Sequence, residues 1–154
     1  MFSRHSIDLP FPFSEVEERL LGRKWVVGRD HGGSDLLAAV GVRIPGVPIY
    51  KHVKLVIGEK ADRIRAGRTL MPISWHTSGG PPLFPRLDGH LELEAIDGRC
   101  RLALNASYDP PIGQLGELID RALLGRLADG SLQDFVERLA AELARIIQEE
   151  RLQG

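Results

Sequence analysis

Five histidines, at positions 5, 31, 52, 76 and 90, and one cysteine, Cys100, are the obvious candidates for metal ligation or nucleophilic chemistry. A zinc site asks for histidines at i, i+4 on one helix or for paired cysteines, and neither spacing occurs here. The expectation is no metal site and no cofactor. Ser74-Trp75-His76-Thr77 places a serine and a histidine two residues apart on one face of an extended segment. That serine lacks the strained Gly-x-Ser-x-Gly turn that exposes a nucleophile, and two neighbours on one strand do not meet as nucleophile and base. Asp30-His31-Gly32-Gly33 is similar to an esterase oxyanion loop without its nucleophile motif, and Gly113-Gln114-Leu115-Gly116 is similar to a phosphate loop without its Gly-Lys-Ser/Thr ending. No catalytic residue is assigned. Cys100 alternates inward on its segment and reads as a small core residue.

The elements that carry these residues belong to an ordinary globular composition. At 154 residues, with 43% hydrophobic and 27% charged side chains, the chain is expected to form a single domain over 1–154. Its net charge of −1 offers no basic field to hold nucleic acid. The longest uncharged run, Thr69 to Pro85, is broken by prolines, glycines and His76, so integral membrane association is not expected. The N-terminal segment lacks the apolar core of a secretion signal and there is a lone cysteine, which together predict a cytoplasmic protein.

Phe2 to Leu9 alternates as a short strand. Ser14 and Glu17 form a capping-box pattern, predicting a helix over roughly 14–22. Trp25-Val26-Val27 is ambiguous, and Arg29 to Asp35 reads as an exposed loop. Five alternating strands follow, over 36–42, 47–57, 68–77, 87–95 and 99–108, with a tight Asp97-Gly98 hairpin between the last two. In the fourth, Leu87, Leu91, Leu93 and Ala95 oppose Asp88, His90, Glu92 and Glu94, so a one-residue slip would bury four polar side chains. The fifth turns Cys100, Leu102, Leu104, Ala106 and Tyr108 inward and Arg99, Arg101, Asn105 and Ser107 outward. Lys51 falls on the apolar side of the second, between Ile49 and Val53, at the sheet margin or facing a ligand.

Beyond Asp109-Pro110-Pro111 the period becomes helical, with apolar positions running from Leu115 to Ile147 within about forty helical residues. Asp129-Gly130-Ser131 predicts a kink or brief break, and 148–154 are expected to fray. Strands that do not alternate with helices argue against a parallel sheet. The fold class is therefore α+β: a curved antiparallel sheet whose apolar face wraps the long C-terminal helix.

This order, with Leu83-Phe84-Pro85-Arg86-Leu87-Asp88-Gly89-His90-Leu91-Glu92-Leu93 and the run from Leu104 through Tyr108-Asp109-Pro110-Pro111 and Gly113/Gly116 to Asp120, resembles the SRPBCC superfamily. That superfamily is the helix-grip fold of START domains, the Bet v 1 group and polyketide cyclase-like proteins. The resemblance covers nearly the whole chain. It implies a cavity between sheet and helix for a small hydrophobic or amphipathic ligand, with Met71, Trp75, Leu91, Tyr108, Leu115 and Ile119 as candidate lining residues. The same residues also fit a solid core, since periodicity alone does not separate lining from core. Two alternatives stand beside ligand binding. One is a polyketide cyclase-like enzyme drawing on Arg68, Ser74, His76 and Tyr108; the other is an interaction module whose helical stripe from Leu132 to Ile147 pairs with another chain, a homodimer included.

Overall fold

The computed structural model describes residues 2–22, 25, 28–29, 36–44, 47–57, 62–77, 86–109 and 121–154, and of 28–29, 36–44, 47–57, 62–65, 76–77, 109 and 121–128 it describes the backbone. Among the described residues, two helices and eight strands succeed one another as β1 (Phe2–Leu9), α1 (Phe13–Gly22), β2 (Gly28–Arg29), β3 (Leu36–Ile44), β4 (Val47–Ile57), β5 (Asp62–Arg65), β6 (Arg68–Thr77), β7 (Arg86–Ile96), β8 (Arg99–Asp109) and α2 (Arg121–Gln153). The strands form one antiparallel sheet in the order β1-β8-β7-β6-β4-β3-β2, with β5 pairing β6 to one side of this path.

Both ends of this sheet reach the same helix. α2 packs against β1 and β8 and also against β3, which lies five positions from β1 in the sheet order. In a flat sheet those strands would stand about 24 Å apart, at about 4.8 Å per step, whereas a helix is only about 10–12 Å across. The sheet must therefore curl around α2, the α+β arrangement expected from the sequence.

Strand register follows the alternation. Met71 stands opposite Leu91 and Leu91 opposite Leu104; Trp75 stands opposite Leu87 and Leu87 opposite Tyr108. These side chains all face α2 and are buried. The β7–β8 hairpin turns on Asp97 and Gly98, both at positive φ (44° and 79°), the left-handed pair that a two-residue type I′ turn needs. Gly89 meets a different demand. β7 runs so close to β8 there that a Cβ on Gly89 would lie 2.1 Å from the Asn105 carbonyl oxygen and 2.7 Å from the Ala106 Cα.

Several expectations are corrected. Gly28–Arg29 pairs with Leu36 and Leu37 where an exposed loop is predicted from Arg29 onward, and Asp62–Arg65 adds a strand to the five predicted beyond residue 35. β5 escapes pattern reading because it has four residues, three of them charged, joined to β6 by the Ala66-Gly67 turn. α1 begins at Phe13, with the Val16 amide donating to the Pro12 carbonyl at 3.2 Å, so Ser14 lies inside the first turn and is not the cap. Glu17, its predicted capping partner, turns inward instead and accepts a hydrogen bond from the Thr69 hydroxyl. Asn105 and Glu92, predicted on the solvated face, are both buried. α2 runs unbroken through Gly130 and on to Gln153, so there is no cap at 130 and the tail does not fray. The crowded turn expected at Gly113 and Gly116 lies outside the described residues.

α1 is tied to the far end of α2. Arg19 donates to Glu150 at 2.6 and 2.8 Å, Arg151 donates to Glu15 at 2.8 Å, and the Arg151 guanidinium sits 5.3 Å above the Phe11 ring. Beneath this clamp Val16 and Leu20 join the core.

Gly89→Ala is expected to destabilise the fold by about 2–3 kcal/mol, because backbone rather than a movable side-chain tip meets the new methyl. Gly130→Ala, where nothing lies within 4 Å of a Cβ, should gain up to about 1 kcal/mol from helix propensity. Paired urea melts of the two variants measure both. Cys100 yields a pH prediction. Burial, helped by the nearby Asp8 charge, pushes its thiol up to about 11 from an ordinary 9.0. The folded chain thus holds this proton more tightly than the unfolded chain, so the associated stability is complete below about pH 9 and drains away toward pH 11. At about 1.4 kcal/mol per unit the loss is about 2–3 kcal/mol. Urea melts at about pH 8 and about pH 11, either side of this window, should show a drop in the parent that is smaller by this amount in Cys100→Ala.

Candidate functional site

The concave side of β6, β7 and β8 presents an apolar wall: Met71, Ile73 and Trp75, then Leu87, Leu91 and Leu93, then Leu102, Leu104 and Ala106. α2 lays Leu132, Phe135, Val136, Leu139, Leu143, Ile146 and Ile147 against it, every one 7% exposed or less. The helical stripe that motivated an interaction module is therefore covered within the chain itself.

Aromatic rings join wall and helix. The Phe135 ring lies 5.1 Å from Trp75, tilted by 54°, and 6.3 Å from Trp25, edge to face at 80°. Trp25 is locked by its indole N–H, which donates to the Leu20 carbonyl at 2.8 Å. Phe135 and Trp25 are parts of the site that sequence reasoning did not single out. Phe135 reads as one of many stripe residues, and Trp25 occupies a turn whose periodicity says nothing about its direction.

Of the six candidate lining residues, Met71, Trp75, Leu91 and Tyr108 are brought onto the one concave face, with exposures of 1, 2, 0 and 4%. Leu115 and Ile119 lie outside the described residues. Met71 and Leu91 share one cross-strand rung, and Trp75 and Tyr108 are the two ends of a rung completed by Leu87. His31, the Asp30 loop and the Gly113 loop also lie outside the described residues. The backbone of Lys51 stands opposite Val40 in β3 and that of His76 opposite Lys54 in β4, and their side chains are outside the description. His90 is half-buried on the outer face of the sheet.

The two ends of the concave face differ in chemistry. Near α1, Thr69 donates to the buried Glu17. About 20 Å away along β6, at about 3.3 Å per residue, the Trp75–Leu87–Tyr108 rung lies near the start of the described part of α2. Burial and the neighbouring Asp129 charge raise the Tyr108 phenol above its ordinary pKa, so it is held as a neutral donor. Asp129 in turn accepts a hydrogen bond from the Ser3 hydroxyl at 2.7 Å. Two residues along the same face of β1, His5 has a buried Nε2 with no hydrogen-bond partner.

On the outer face, Glu92 is buried although its β7 neighbours Asp88 and Glu94 are not. Arg68 donates to it at 3.4 Å, Asn105 at 3.5 Å, and Arg4 approaches to 3.8 Å. The long Arg stems cover the carboxylate from both sides. Arg68 is thereby committed to the face away from α2. Ser74 stands opposite Asp88 on that same face.

No protein-family model and no curated protein matches the chain. Among solved structures, TTHA0849 from Thermus thermophilus superposes with a TM-score of 0.54 at 16% identity, over 95% of this chain and 99% of that one. A fragment of a STAR-related lipid transfer protein from Xanthomonas axonopodis gives 0.49 at 12% identity, over 90% and 85% of the two chains. DynU16, a protein of the dynemicin biosynthetic locus, gives 0.46 at 17% identity; this chain, 93% of it aligned, spans 47% of DynU16. Among the described residues no helix is long and apolar enough to cross a membrane. A curled antiparallel sheet closed around one long C-terminal helix, matched end to end by the Thermus structure, makes this chain a helix-grip domain.

Proposed function

We propose that the chain binds a small hydrophobic or amphipathic molecule, lipids being the first class to test, between the concave sheet face and α2. The observation that carries this reading is the apolar, aromatic-lined face that α1 closes at one end and that polar groups border at the other. Met71, Trp75, Leu91 and Tyr108 would contact the ligand, joined by Leu115 and Ile119. No cofactor is needed, and one cysteine, held as a thiol, fits a cytoplasmic location.

We read the site as binding without catalysis. A general acid or base must come within hydrogen-bond reach of its substrate. Of the groups that a cyclase-like enzyme would draw on, Arg68 is engaged with Glu92 on the outer face and Ser74 is on that face too, which leaves Tyr108 as the described one on the concave side. That phenol, held protonated, supports positioning better than proton abstraction, and His5, the described imidazole on the same face, stands two rungs away from it.

Both tryptophans of the chain flank Phe135, so their emission reports directly on the site. Titration with medium-chain alcohols and polycyclic aromatics is expected to shift that emission. At about 100 Kd a ligand should stabilise the fold by about 2.7 kcal/mol, raising Tm by roughly 5–10 °C for a chain of this length. Emission and Tm both unmoved across the panel, together with an enclosed volume below about 300 Å³, would sink the reading.

A further inference from the structure

Of the two histidines whose side chains are described, His90 lies on the outer face and His5 on the concave one, where the binding reading above makes no use of it. Resting on that reading, we propose that His5 Nε2 anchors an uncharged oxygen, a hydroxyl or a carbonyl, carried inside the ligand with carbon on both sides of it.

The strand register fixes where this anchor stands. His5 is opposite Leu104 of β8, and that rung continues through Leu91 of β7 to Met71 of β6, so the imidazole joins a rung that is otherwise apolar. One rung toward α1 lie Ile7 and Leu102; one rung the other way lie Ala106 and Ile73. The Trp75–Leu87–Tyr108 rung is a second step in that direction, about 13 Å from the His5 rung at about 3.3 Å per residue. A ligand oxygen that reaches Nε2 is therefore within the apolar wall rather than at its border. The carbon around it must continue in both directions to cover that wall.

The nitrogen itself calls for a partner. Nε2 is buried and makes no hydrogen bond, while the ring as a whole is half-buried. A buried polar atom in this state costs free energy, and native folds rarely keep one unless water, an ion or a ligand completes it. A buried water needs about two to four polar partners. The next side chain on this face of β1 is Ser3, whose hydroxyl proton is already given to Asp129 at 2.7 Å. Among the described residues no group of three His, Cys, Asp or Glu comes together to hold a metal ion. A ligand oxygen needs no such cage, because its own carbon skeleton holds it against the wall.

The surroundings also set the partner's charge. A carboxylate or an ammonium would have to leave water for a rung of Leu104, Leu91 and Met71, at a cost that one hydrogen bond does not offset. A hydroxyl donates and accepts and a carbonyl accepts, so each matches a tautomer of the imidazole, whereas an alkyl chain matches neither.

Displacement of bound Nile red by decane, 4-decanone, 4-decanol and decanoate, four probes with one chain length, tests this near neutral pH. His5→Leu should weaken 4-decanol and 4-decanone by at least about fivefold, equivalent to about 1 kcal/mol and the worth of one hydrogen bond. Decane and decanoate should change by less than about twofold. His5→Gln, whose amide keeps a donor and an acceptor, should recover most of the loss. In the parent, the NMR resonance of the His5 ring nitrogen, identified by its absence from His5→Gln, should move when 4-decanol is added and stay in place with decane. Equal effects of His5→Leu on decane and 4-decanol, an unmoved ring resonance, or a His5-dependent preference for decanoate overturns the anchor and leaves ligand binding standing. Failure of the dye and all four probes to bind overturns the anchor and the ligand-binding reading together.

Discussion

A curved sheet with one apolar face cannot stand in water uncovered, and here the cover is a single 33-residue helix. Every concave side chain from Met71 on β6 to Leu104 on β8 owes its burial to α2 or to α1 pressed beside it. The curl of the sheet is the same constraint seen from the other side. Strands as far apart in order as β1 and β3 touch one helix, so bending is the way to remove both flanks from water with one cylinder. Gly89 shows the local cost of that bending, since β7 and β8 approach closely enough there to leave no room for a Cβ.

The strand spans were largely legible because the inside and outside of this sheet differ sharply in polarity. β1, β4 and β6 end at the residues that alternation and the flanking prolines and glycines indicate. What escaped was set by length and by tertiary cover. Four residues of β5 are too few to show a period, and their charges suit a strand at the margin of the sheet. Glu92 and Asn105 alternate outward as predicted, yet they are buried, because Arg4 and Arg68 lay their stems over the outer face. No count along one strand reports what a neighbouring strand's side chain does. Likewise Glu17 satisfies the spacing of a capping box and uses its carboxylate for a tertiary hydrogen bond to Thr69 instead. The local signal was real, and the long-range partner won.

The candidate site was legible to a smaller degree. Alternation puts Met71, Trp75, Leu91 and Tyr108 on one face, and the register shows that they are neighbours across strands. It does not show that Phe135 and Trp25 complete an aromatic cluster with Trp75, because the rotation of α2 about its axis and the direction of the turn after α1 are fixed only by packing. Nor does it mark His5 as different from the chain's other histidines. An orphaned nitrogen is a property of surroundings, visible only when β1 is seated beside β8 beneath α2.

The asymmetry between the two ends of the concave face bears on where function can reside. At the α1 end the buried polar groups pair with one another: Thr69 with Glu17, the Trp25 indole with the Leu20 carbonyl. The salt-bridged clamp of Arg19, Glu150, Arg151 and Glu15 closes the rim above them. Paired groups of this kind hold a fold in one arrangement and offer little to a ligand, since binding would have to break a bond to make one. At the opposite end the Tyr108 phenol and the Ser3–Asp129 pair border the apolar wall, while His5, with its unpartnered nitrogen, stands between the two ends on the rung of Leu104 and Leu91. The His5 nitrogen is a polar atom on this face that can take a hydrogen bond without first giving one up. With the α1 end closed by satisfied contacts and Ser3 bonded to Asp129 at the other, the middle of the concave face, where His5 stands opposite Leu104, is where a buried polar atom keeps an unmet hydrogen-bonding need.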